Sequence, residues 1–244
     1  MAALGSRKGF RSRLPEVIVF SIVILLLGGG TYWRNRLWNN EIELLLDNVK
    51  KSPHKARVYG NLAFAYFTAG IYDKALKAAQ NAIELDRTYA HAYHTLSLVY
   101  KEWGEKEKAI AMAKKSLELD PEFYIAYYTL GRIYFEDRQF AEAAECFERV
   151  VKVFPDLPEV HHLLGIIYVS QRHFDRAISE FEWEIRDHPD HALAHLNLGQ
   201  IYWHEFGNRE KAIEHLKAAL AIDPFLPNRS EIQRLVRTLE GTSP

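Results

Sequence analysis

Residues 129 to 154 read TLGRIYFEDRQFAEAAECFERVVKVF, and the same plan recurs along the chain. Thirty-four residues later comes LLGIIYVSQRHFDRAISEFEWEIRDH, from Leu163. Thirty-four residues earlier stands TLSLVYKEWGEKEKAIAMAKKSLELD, from Thr95, itself preceded by NLAFAYFTAGIYDKALKAAQNAIELD, from Asn61. A fifth copy, NLGQIYWHEFGNREKAIEHLKAALAID from Asn197, carries one inserted residue near Phe206. Leu62, Leu96, Leu130, Leu164 and Leu198 hold the register, as do Tyr66, Tyr100, Tyr134, Tyr168 and Tyr202. A small residue also recurs: Ala75, Ala109, Ala143, Ala177 and Ala212.

The period divides into two helical stretches. Leucine and tyrosine four apart lie on one face of the first helix, where a partner helix can meet them. Alanine lets helix axes approach. Asp-Pro ends the second helix, because proline cannot continue the hydrogen-bond ladder. A single such hairpin cannot bury its apolar stripe, so neighbours must stack.

A 34-residue period of this kind resembles the tetratricopeptide repeat (TPR) family, and the resemblance covers roughly residues 56–226. The family's Leu-Gly-x-x-Tyr stands as Leu130-Gly131 with Tyr134, Leu164-Gly165 with Tyr168, and Leu198-Gly199 with Tyr202. Ala63 and Ser97 replace the glycine in the first two copies. The closing proline appears as Pro121, Pro155, Pro189 and Pro224, with Arg87 in its place in the first copy. The expected fold is all-α: a TPR helical-hairpin solenoid preceded by a single transmembrane helix. Five repeats are expected at 56–89, 90–123, 124–157, 158–191 and 192–226. Residues 34–55 read as a connecting helix and N-terminal half repeat. Residues 227–244 read as a capping helix and tail, with Arg229, Arg234 and Arg237 on a polar outer side.

The start of the chain has another character. Residues 1–16 carry Arg7, Lys8, Arg11 and Arg13 against Glu16, and Val17 to Trp33 then runs for seventeen residues without a charge. At about 1.5 Å per residue such a helix spans roughly 25 Å, near the short limit for a bilayer. Tyr32, Trp33, Arg34 and Arg36 suit the far interface, and the upstream bases put the N-terminus in the cytoplasm. The expectation is a single-pass span at 17–33 in the cytoplasmic (inner) membrane, with the repeats extracytoplasmic. Ser21 and Gly28, seven apart, would pack it against a partner span. A cleaved signal peptide is the alternative, although no A-x-A cleavage pattern occurs and the apolar stretch continues into bulky Tyr32 and Trp33.

Composition removes several classes of function. The chain has 244 residues and a net charge of −1, so no global field favours nucleic acid, and none is expected as a partner. The one cysteine, Cys146, excludes an internal disulfide and any multi-cysteine metal site. It lies between Glu145 and Phe147, far from a thiol-activating helix start, and reads as a packing thiol. Glu142 with Glu145, and Glu180 with Glu184, fall at the spacing of a solvated helix face. Gly28–Gly30 lacks the Lys-Ser/Thr of a phosphate loop. No catalytic residue and no cofactor is expected. Eleven histidines raise a metal or haem carrier as a third reading. Their densest cluster, His188, His191 and His195, lacks a carboxylate or cysteine fixed by spacing. His161 and His195 share the slot of Tyr59, Tyr93 and Tyr127, which suits packing.

What remains is the surface. The TPR resemblance implies that first helices line a groove that receives peptides. The positions so placed are Phe64, Phe67, His94, Leu98, Lys101, Tyr128, Arg132, Phe135, Ile166, Val169, Gln200 and Trp203. They suit an apolar or amphipathic protein segment, with Lys101 and Arg132 as orienting charges. A two-carboxylate clamp could begin at Arg57 and Asn61, but Thr95, Ile125 and Thr129 do not continue it. The function expected is a membrane-anchored, non-enzymatic adaptor, serving as accessory subunit or assembly factor of a membrane complex. The junction TYWRNRLWNN, residues 31 to 40, followed by KKSPHKARVYGNLAFAY, is also similar to that of C-type glycosyltransferases carrying TPRs. With one hydrophobic span and no catalytic loops, the chain inherits no transferase activity from that likeness. An accessory protein of an extracytoplasmic glycosyltransferase system is the alternative it implies.

Overall fold

The computed structural model describes residues 41–157 and 159–241. Among them are twelve α-helices and no strand. Helix α1 (Glu41–Lys51) comes first and α12 (Arg229–Glu240) last. Between them lie the first helices of the repeats: α2 (Ala56–Thr68), α4 (Ala90–Glu102), α6 (Tyr124–Glu136), α8 (Val160–Ser170) and α10 (Ala192–His204). The second helices are α3 (Tyr72–Leu85), α5 (Lys106–Leu119), α7 (Phe140–Val151), α9 (Phe174–Asp187) and α11 (Arg209–Ile222). None of the described helices is long and apolar enough to cross a membrane. The run Val17–Trp33, with Ser21 and Gly28, lies outside the described residues.

The chain forms two compact units, one ending at Val99 and the other beginning at Tyr100. Within each, helices pack on their chain neighbours: α1 on α2 and α2 on α3 in the first, and α5 through α12 in succession in the second. That order is the one-dimensional stacking a repeat chain needs to bury its stripes.

The turn inside each repeat rests on one left-handed residue. Gly70, Gly104, Arg138, Arg172 and Gly207 have φ of 73°, 73°, 58°, 60° and 61°. The residue after each donates its backbone N–H to the carbonyl of the register tyrosine. These are Ile71 to Tyr66, Glu105 to Tyr100, Gln139 to Tyr134, His173 to Tyr168 and Asn208 to Tyr202, at 2.8–2.9 Å. A helix end that would leave carbonyls unpaired is closed in this way. Arginine tolerates the conformation at two turns, at a local cost of about 1 kcal/mol.

The recurring alanines explain the close approach. Ala75, Ala109, Ala143, Ala177 and Ala212 are all 0% exposed, so no larger side chain fits. The motif glycines follow the same logic in reverse. A Cβ on Gly131 would sit 2.8 Å from the Phe147 ring, on Gly165 2.5 Å from Phe181, and on Gly199 2.7 Å from Leu216. In the first repeat the equivalent pair is Ala63 and Ala79, both fully buried. The glycine is therefore a response to the bulk it faces.

Between repeats, an aspartate usually tightens the turn. Asp86 Oδ1 accepts the Thr88 N–H at 2.8 Å, Asp120 Oδ1 that of Glu122 at 3.1 Å, and Asp223 Oδ1 that of Phe225 at 2.7 Å. Phe154 occupies this place after the third repeat and has no such acceptor. There α7 stops at Val151 and α8 waits until Val160, so the linker occupies 152–159, whereas α5 and α6 are joined through 120–123.

Helix α1 packs on α2, and α12 packs on α11. At the C-terminal end, Arg229 donates to the carbonyls of Leu220 at 2.8 Å and Asp223 at 3.0 Å, capping α11. Ile232, Val236 and Leu239 face the core while Arg234 and Arg237 stay exposed.

Candidate functional site

In the first unit, Phe64 is 48% exposed on α2, stacked at 6.4 Å with half-buried Phe67. Leu98 on α4 is half-buried, but His94 is only 5% exposed. Burial, reinforced by His91, pushes the His94 imidazole down to about 4. It is a neutral, interior side chain at neutral pH and has no surface to offer a partner.

In the second unit, α6, α8 and α10 present Tyr128, Phe135, Ile166, Val169 and Trp203, all partly open to solvent, with Gln200 exposed. The apolar ones rest on the continuous core that runs from Ala113 to Leu239. Tyr128 lies 6.2 Å from Phe147, and Phe135 meets Phe140 edge-on at 5.8 Å. Lys101 and Arg132 are brought together by a residue that sequence spacing did not single out. Glu136 accepts Lys101 at 3.0 Å and lies 3.7 Å from Arg132, which also donates to the Tyr128 hydroxyl at 3.4 Å. The two cations therefore share one carboxylate. Arg172 reaches Glu205 at 3.8 Å.

The clamp positions carry no donor row. Thr95 and Thr129 turn their hydroxyls back onto the carbonyls of His91 and Ile125, each at 3.0 Å. Ile125 is 60% exposed.

A second polar pattern repeats between stacked hairpins. The Tyr168 hydroxyl donates to Glu148 at 2.7 Å and accepts from Arg176 at 2.6 Å, with the guanidinium 4.0 Å from the ring centroid. Burial and then the Glu148 carboxylate raise the Tyr168 hydroxyl above its ordinary range. Tyr202 repeats this with Glu182 at 2.9 Å and Lys211 at 3.1 Å. At Tyr134 the polarity is reversed, with Lys114 on the preceding helix and 5.8 Å from the ring centroid. These triads join one repeat to the next.

Several histidines pack against an aromatic ring or another histidine. His161 stacks on Trp183 at 4.6 Å and bonds to Glu180 at 2.7 Å and the Pro155 carbonyl at 2.9 Å. His195 and His215 face each other through Nδ1 atoms 3.1 Å apart. Glu184 is 3% exposed, with His191 Nδ1 3.0 Å away but off the line a hydrogen bond needs. Burial raises the Glu184 carboxyl, but His191, His188 and His162 more than offset this and hold it below the usual range. Among the described residues no three histidine, cysteine or acidic side chains group to hold a metal ion. Cys146 is buried, and burial pushes its thiol up to about 11, away from nucleophilic use.

The long linker creates a feature the repeat pattern does not foretell. Tyr124, Ile125 and Tyr128 from α6 and Phe154, Leu157 and Glu159 from the linker line a cavity of about 520 Å³. Its signal in the sequence is Phe154, a large apolar residue where Asp86, Asp120, His188 and Asp223 stand in the other repeats.

Three family models described as tetratricopeptide repeat match residues 54–122, 104–167 and 162–227. No curated protein sequence matches the chain. Among solved structures, YrrB, described as a TPR protein with an unusual peptide-binding site, is similar at TM-score 0.68 and 26% identity. It covers 80% of this chain and 98% of its own. MamA matches at TM-score 0.61 and 25% identity, over 69% of this chain and 92% of that one. The pilF protein of Pseudomonas aeruginosa shares the fold at TM-score 0.69 and 18% identity, over 87% and 96%. Taken with the registered turns and buried alanines, these matches make residues 54–227 tetratricopeptide repeats of the kind that mediate protein–protein interaction.

Proposed function

We propose that the chain is a non-enzymatic adaptor, held at the cytoplasmic membrane by residues 17–33, whose repeats bind a segment of a membrane-complex protein outside the cytoplasm. The observation that carries the binding half is the row of partly open apolar side chains on α6, α8 and α10, set on a rigid core. Peptide binding by YrrB, 26% identical over most of this chain, supports the same reading. The anchoring half rests on the basic start and the seventeen uncharged residues that follow it. Lys101 and Arg132 would orient the segment if its carboxylates displaced Glu136, while Phe135, Val169 and Trp203 supply apolar contact. Ser21 and Gly28 would dock the span against a helix of the same complex.

The test is extraction of native membranes in mild detergent, capture on a C-terminal tag, and mass spectrometry of the intact chain with its partners. Retention of residues 1–33 with one stoichiometric membrane complex supports an accessory subunit. Substoichiometric partners that vary with growth support an assembly factor. A chain beginning near Thr31, in the soluble extracytoplasmic fraction and without partners, would sink the reading.

A further inference from the structure

We infer that the cavity between α6 and the 152–159 linker is the anchor pocket for a partner peptide, taking one large apolar side chain flanked by a basic residue. The inference rests on the reading above that the repeats bind a protein segment, and it adds where and what. The pocket exists because the repeat is broken there. Phe154 stands where Asp86, Asp120 and Asp223 stand in other repeats, the flanking helices stop short at Val151 and Val160, and Phe154, Leu157 and Glu159 form one wall of the cavity. Phe154 remains 49% exposed and Ile125 60% exposed, a large apolar opening for two residues on one rim. Tyr124 meets Phe154 edge-on at 5.6 Å, so the walls are aromatic and fixed in angle.

Charge selects the occupant. Glu159, on the rim, has φ of 65°, a left-handed conformation that is costly for a residue with a side chain. Its carboxylate makes no close ion pair or side-chain hydrogen bond among the described residues and acts on Arg132 only through space. The nearby cation, Arg132, is already engaged by Glu136 and Tyr128. Exposed acids also recur at the inter-repeat turns, at Glu122, Asp156 and Asp190. Lys152 and Arg149 line a separate depression with Glu145 and Glu148 that also borders Tyr124. An apolar pocket with an exposed carboxylate at its mouth, held in no close ion pair, complements a hydrophobic side chain beside a lysine or arginine.

The test uses the full chain and two fluorescein-labelled heptapeptides. One has a central phenylalanine between two lysines, and its twin has two glutamates instead. The lysine peptide is expected to bind about threefold or more tighter at low salt. Phe154→Asp, which restores the residue of three other repeats and so should fold, is expected to weaken it about tenfold or more. Glu159→Lys is expected to reverse the order of the two peptides. Binding untouched by either variant but lost in Trp203→Ala would overturn the pocket and leave the first-helix reading standing. Failure of both peptides to bind at millimolar concentration would also overturn it, with the membrane pull-down still deciding the broader function. Self-association abolished by Phe154→Asp, without any peptide effect, would assign the pocket to a second copy and overturn the inference.

Discussion

The first and fourth repeats bring two helices together in opposite ways. At one register pair the first repeat has Ala63 and Ala79, two small side chains of equal weight. The fourth has Gly165 and Phe181, with the ring of Phe181 filling the space where a Cβ would stand. Both pairs are sealed from water, and both keep the same register leucine and tyrosine buried. The helix approach is thus set by the summed volume of the pair rather than by the glycine itself. The motif is better read as a pairwise rule than as a list of residues.

The comparison breaks most sharply at Phe181. Phe181→Ala should cost about 3–5 kcal/mol, because a fully buried ring leaves a cavity beside a glycine that cannot fill it. Chemical denaturation of the variant checks this. Gly165→Ala should cost about 1–3 kcal/mol, since its Cβ would meet three ring atoms at 2.5–2.7 Å. The double variant rebuilds the first repeat's pair. It should be less destabilised than the two single costs together, with a coupling of about 1 kcal/mol or more. Strict additivity would refute the pairwise rule.

Acid should separate the two regions further. Burial lowers His162 to about 4 and also lowers His195 and His215, all in the fourth and fifth repeats, whereas His94 in the second repeat stands alone at about 4. A histidine whose folded pKa lies below its ordinary value binds its proton more readily when unfolded. Its stability contribution is full above pH 6.5 and is lost as pH falls from there toward 4, by about 1.4 kcal/mol per pH unit for each buried ring. Glu184, also held low, acts in the same direction only below its ordinary 4.5. His161 opposes them: burial would lower it, but Glu180 and the Pro155 carbonyl raise it, so its contribution fades as pH rises through its folded value. Thermal melts between pH 7.5 and 4.5 should show falling stability, and His162→Leu should flatten the slope. Hydrogen exchange at pH 5 should open α8–α11 before α2–α3.

The smallest effect is expected at the turns. Arg138→Gly relieves a left-handed arginine whose side chain is exposed, and should stabilise by about 1 kcal/mol or less. The reverse change, Gly104→Arg, should destabilise by a similar amount. Melting temperatures of the pair check the sign.

Much of this arrangement was legible in the amino-acid order, because it repeats. A period of 34 residues fixes the Leu–Tyr face and the alanine contacts through helical geometry alone. The TPR resemblance assigned Phe135, Val169 and Trp203 to the first-helix faces, where their side chains are partly open. It could not reveal that Glu136 gathers Lys101 and Arg132, because that meeting joins two helices of different repeats. It put His94 on the open face by register, whereas the side chain lies within the fold. The linker pocket escaped for a different reason: Phe154 adds no motif, and the shortening of the helices on either side of it leaves no mark in the period.

The central claim is that the first-helix faces, and not the second-helix faces, receive the partner. A photoreactive amino acid placed at Phe135, Val169 or Trp203, and in parallel at exposed Glu142, Ser179 or Glu210, tests it in native membranes. The account predicts one crosslinked protein from the first set and none from the second. Crosslinks from Glu142, Ser179 and Glu210 alone would contradict it.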